Sequence, residues 1–160
     1  MSFRIVIVAP FILAGLVCTP MVNTQTEKMK CCDTVFIYSK GTSKQVTHTN
    51  ALQRIVDEAT RLFDQADNIY WRPLSQSDID GFRERSCIEI IFANPREMVV
   101  RAIKESKTIS KFLIPLDKSM CADYAHIIYG DPDYKTFNLL LNSEGCGRLQ
   151  KIVEALYLTK

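Results

Sequence analysis

Six cysteines and two histidines carry most of the chemistry this sequence could perform: Cys18, Cys31, Cys32, Cys87, Cys121 and Cys146, with His48 and His126. A cysteine nucleophile needs an imidazole or another base within hydrogen-bond reach, and a third group to orient that base. His48 stands in VTHTN, just before a predicted helix, and His126 in YAHIIY, inside a predicted strand. No spacing joins either of them to a cysteine, so no catalytic residue is assigned. Zinc takes about four clustered ligands, commonly contributed as closely spaced pairs. The adjacent Cys31-Cys32 and three distant cysteines have no such spacing, so no metal and no cofactor are expected.

Disulfides are the simpler use of these cysteines. If Cys18 is removed with an N-terminal leader, five remain, and an odd number leaves at least one thiol or a bond between chains. Neighbours such as Cys31 and Cys32 rarely satisfy disulfide geometry with each other. Cys87, Cys121 and Cys146 fall in different predicted segments, and each could approach that pair. All five are disulfide candidates with the connectivity open. In a reducing compartment they would instead be small buried hydrophobes.

Other polar motifs read as structure. Gly145-Cys146-Gly147 precedes a helix, but the chain has neither GxGxxG nor GxxxxGK[ST], so the segment is read as a connection holding a disulfide half. Asp131-Pro132-Asp133 lacks the ligand series of an EF-hand and is read as a hairpin tip. No serine lies in a GxSxG elbow. The remaining candidate is Trp71-Arg72, in the segment YWRPL. Trp and Arg combine contact area with polar anchoring and are enriched where binding energy concentrates. These two residues are the candidate binding surface; the competing reading has Tyr70 and Trp71 closing one end of the core.

These side chains need elements to hold them. The N-terminus has Arg4, then fourteen uncharged residues from Ile5 to Cys18, then a polar segment from Asn23. A basic start, a short apolar run and a polar exit are the parts of a secretory signal. The uncharged stretch reaches eighteen residues if counted to Val22, with Pro10 inside it, so an uncleaved anchor is an alternative reading. A buried first strand is another. The expected organisation is a leader or anchor over 1–22, a polar linker over 23–30 and one domain over 31–160.

Within that domain the pattern predicts strands at Cys32–Lys40, Cys87–Ala93, Ile109–Leu116, Tyr124–Tyr129 and Tyr134–Leu141. Glu97–Ile103 is either an irregular connection or another short strand. Apolar residues from Leu52 through Leu62, Phe63 and Ile69 to Tyr70 recur every three or four positions and predict one long amphipathic helix over Asn50–Tyr70, capped by Asn50. Glu58 is placed on its wet side. A short helix is expected over Ser75–Glu84 with Ser77 as its cap, and a final helix over Gly147–Leu158. The fold class expected is α+β: one long amphipathic helix on a mainly antiparallel sheet, with a short C-terminal helix. As architecture alone this order is similar to the cystatin-like arrangement, a sheet around one long helix. The chain has no Gln-x-Val-x-Gly loop, so the analogy does not carry protease inhibition.

Composition narrows the function. Hydrophobic residues make up 47% and charged residues 24%, which suits a packed domain and not a disordered chain. Without residues 1–22, which contain only Arg4, 19 basic face 18 acidic side chains, giving no electrostatic pull toward nucleic acid. The expectation is an exported, non-catalytic interaction or ligand-binding domain. It would be periplasmic or extracellular, meeting a protein or small ligand there and touching membrane only through an uncleaved N-terminal segment. The alternative is a small exported thiol-dependent enzyme using a Cys/His pair.

Overall fold

The computed structural model describes residues 33–70, 74–131 and 137–158. The expected leader, the linker, Cys31, Cys32, Trp71 and Arg72 lie outside the described residues. The described chain forms a seven-stranded antiparallel sheet with four helices, an α+β fold. Strand β1 (Thr34–Ser39) turns into β2 (Thr42–Gln45) through Lys40 and Gly41, both at positive φ. That left-handed pair twists as the two strands do, so a two-residue connection suffices. Helix α1 (Thr49–Asp64) follows, then β3 (Asn68–Tyr70) and helix α2 (Gln76–Glu84). Strands β4 (Ser86–Val100) and β5 (Glu105–Pro115) form the longest hairpin. The single-turn helix α3 (Lys118–Cys121), strands β6 (Ala125–Gly130) and β7 (Phe137–Asn142), and helix α4 (Gly147–Leu158) complete the order. The strands lie side by side as β2-β1-β4-β5-β6-β7-β3.

The expected helix over Asn50–Tyr70 is not what forms. α1 has 16 residues and ends at Asp64. Ile69 and Tyr70 continue its apolar spacing, but they leave the helix to pair with Leu140 and Leu139 of β7. A strand edge offers those residues a full ladder, which overrides local periodicity. His48, not Asn50, occupies the N-cap, and it makes no side-chain capping bond. On α2 the cap is Ser75, not Ser77: its hydroxyl accepts from the Asp78 N–H, and the Asp78 carboxylate accepts from the Ser75 N–H at 2.6 Å. Of the segment Glu97–Ile103, the residues to Val100 are strand, as the far end of β4, and Arg101–Ile103 belong to the turn into β5. Between Ile91 and Arg96, β4 advances five positions while β5 advances two. This bulge bends the hairpin so that Val100 and Ile109 join the main core. Pro115 closes β5, a central strand.

Residue alternation splits the sheet into two faces. Ile88, Ile90, Phe112, Ile114, Ile127 and Leu140 point to one side, where they pack with Ile55, Val56, Leu62 and Phe63 of α1 and Leu149 and Val153 of α4. Cys87, Leu113, Ile128 and Leu139 point to the other, under Ile79 of α2. The sheet therefore does not surround one helix: α4 lies beside α1, and α2 covers the back. Among the described residues no helix is long and apolar enough to cross a membrane.

Candidate functional site

A disulfide joins Cys121, the last residue of α3, to Cys146, just before α4. Their Cα atoms are 5.2 Å apart, within the usual span for such a bond. Both residues are buried, at 5% and 0% exposure, and both belong to the main core. Gly145 makes the approach feasible. Its φ is +68°, and a Cβ there would stand 2.7 Å from the Cys121 carbonyl oxygen. The bond links two of the three distant cysteines to each other, not to the Cys31-Cys32 pair.

The two helices that this bond connects also help to line a groove of about 300 Å³. β1 contributes Ile37, Tyr38 and Ser39, and Ser86 opens β4 beside them. Leu116 follows β5, Lys118 opens α3, and Gln150, Val153 and Glu154 come from α4. The Gln150 side-chain N–H donates to the Leu116 carbonyl at 2.8 Å and ties α4 to the end of β5. A concave, largely apolar floor with a few polar groups at its rim is the usual form of a small-ligand site.

The back of the sheet holds a different constellation. Glu89 is 2% exposed in mid-strand. Its carboxylate accepts from the Tyr38 hydroxyl at 2.8 Å and from Arg83 of α2 at 2.7 Å, with Lys111 Nζ 3.9 Å away. Two cations and a phenol compensate the charge, as burial of a carboxylate requires. Tyr38 is pushed up to about 12, first by burial and then by its bond to Glu89. Cys87, two residues before Glu89, is a fully buried free thiol and not a disulfide half. Burial, then the Glu89 charge, pushes it up to about 12. A thiol held protonated in this way is the opposite of an activated nucleophile.

The histidines add no base to it. His126 Nδ1 donates to the Met120 carbonyl at 2.9 Å, and His48 sits at the start of α1. With Cys121 and Cys146 bonded, the described cysteines offer no Cys/His pair for the thiol-enzyme alternative. Among the described residues no three His, Cys, Asp or Glu side chains gather as a metal site would require.

Two buried carboxylates escaped the sequence reading. Glu58 is not on a wet face: it is 6% exposed, bound by Arg61 at 2.7 Å and faced by Arg148 of α4 at 3.7 Å. Glu89 carried a signal in CIEIIFA, where it is the one charge in an apolar strand. Comparison of the chain with protein-family models, with curated proteins and with solved structures finds no match.

Proposed function

We propose that this chain is an exported, non-catalytic binding domain acting on a protein or small ligand outside the cytoplasm. The observation that carries the reading is the buried Cys121–Cys146 bond, which sits inside the core and is fitted by Gly145. Structural disulfides persist in oxidising compartments and are rare in the cytosol. The apolar run Ile5–Cys18 behind Arg4 supports the same conclusion as a secretory leader. Binding in place of catalysis rests on the groove, together with a described thiol that is buried and protonated. Trp71 and Arg72 belong to the proposal as a second contact. They follow Tyr70, which is 43% exposed on an edge strand.

Intact mass of the protein from its native host, with and without reduction and thiol alkylation, tests this reading. Loss of roughly 20 residues together with at least two thiols that alkylate only after reduction is the expected result. A full-length mass with six freely alkylated thiols overturns it.

A further inference from the structure

The groove that α3 and α4 help to line carries side chains of opposite charge on those two elements. Lys118 stands on α3 and Glu154 on α4, and Ile37, Leu116 and Val153 line the same groove with at most 7% of their surface exposed. Neither Lys118 nor Glu154 has an ion-pair partner among the described residues. A plain anion would meet Lys118 favourably but Glu154 unfavourably, and a plain cation the reverse. A ligand carrying both charges satisfies both side chains.

We propose that this groove binds a small zwitterion with an aliphatic body, of the class of a free amino acid or a short peptide with free ends. This rests on the reading of the chain as a binding domain. The ligand carboxylate pairs with Lys118, its ammonium pairs with Glu154, and its aliphatic part covers Ile37, Leu116 and Val153. A volume of about 300 Å³ sits at the small end of ligand sites, which suits this size. The two elements are set before the ligand arrives. Cys121 lies one helical turn after Lys118, Cys146 directly precedes α4, and the bond between them joins both charged elements. Preorganisation of this kind lowers the ordering cost of binding.

The test is a titration of the isotope-labelled, disulfide-intact protein with L-leucine, dileucine, N-acetyl-L-leucine and L-leucinamide, followed at the methyl resonances of Ile37, Leu116 and Val153. Leucine or dileucine should give saturable shifts, and whichever saturates at lower concentration identifies the ligand as amino acid or peptide. Each blocked analogue should bind roughly three- to five-fold more weakly, the scale of one exposed ion pair. Lys118→Gln should weaken leucine by a similar factor and leave leucinamide unchanged; Glu154→Gln should do the same for the acetylated analogue. Absence of saturable shifts, or equal binding of all four probes, overturns the proposal. Because the disulfide and the leader are read by mass, that failure is distinct from failure of the export reading.

Discussion

The two faces of the sheet are covered by different physical means. The α1/α4 face is a continuous apolar core, in which Phe63 stacks on Phe112 at 5.1 Å and meets Tyr129 edge-on at 5.4 Å. Buried polar groups there sit where elements join: Asn142 donates to the Leu62 carbonyl at 2.8 Å and accepts from the Glu144 N–H, linking β7 to α1. The α2 face has one helix of nine residues and a smaller apolar cluster around Ile79. Beside that cluster the sheet buries Glu89 with Arg83, Lys111 and Tyr38. One face gains its stability from apolar area and dense contact. The other depends on a carboxylate that is tolerable only while its partners are present. The lesson is that a face can be closed without being strong: α2 is oriented by charge where α1 is held by volume.

Truncation of the first face should show the largest effect. Phe63→Ala removes a fully buried ring between two aromatics and should cost about 4 kcal/mol, read from urea unfolding. A loss under ~1 kcal/mol would mean this face is no better packed than the other. On the second face Glu89→Ala removes the buried acceptor that Tyr38, Arg83 and Lys111 share and should cost about 3 kcal/mol. Glu89→Leu combined with Arg83→Met should recover most of that loss, since apolar replacements of a buried pair are often neutral or better. If the double variant is as unstable as the single, the network contributes more than the avoidance of a lone charge.

A smaller, pH-dependent effect separates the faces further. The folded state holds the Cys87 proton to about pH 12, against 9.0 for an unperturbed thiol. Between those values the folded chain binds more protons than the unfolded one, so stability present below pH 9 is lost as pH rises toward 12. Unfolding midpoints measured across that window should fall less steeply for Cys87→Ala than for the parent. Parallel curves would show that the thiol is not linked to folding. The smallest change belongs to the cap of α2: Ser75→Ala removes half of its capping box and should cost about 1 kcal/mol, seen as a lower thermal midpoint.

Legibility in the sequence followed the range of the interactions involved. Helix α4 was readable to its ends, because Leu149, Ile152, Val153 and Leu156 repeat with Gly147 at the start. The end of α1 was not, because what stops it is pairing of Asn68–Tyr70 with β7, some seventy residues on. Asn94-Pro95 looked like the end of a strand and is a bulge within one, since the partner β5 continues past it. Of the site, the cysteines were visible as disulfide halves, but the choice of Cys121 with Cys146 depends on α3 meeting α4 in space. Glu89 went unread although it is the lone charge of CIEIIFA, because its partner Tyr38 lies 51 positions away and no local pattern joins them. Lys118 and Glu154 lie 36 positions apart with no motif joining them, and only the fold brings both to one groove.

The Cys121–Cys146 bond also encloses the β6–β7 hairpin in a covalent ring whose two anchors are 25 positions apart. A protease that cuts once between those anchors produces two pieces that stay linked, so the nicked molecule keeps its mass but for one added water. Its strands remain registered against β5 and β3 by the sheet itself. Such a nick would pass unseen on a non-reducing gel and resolve into two bands only after thiol treatment. The ring makes this stretch of chain one that can be severed without being lost.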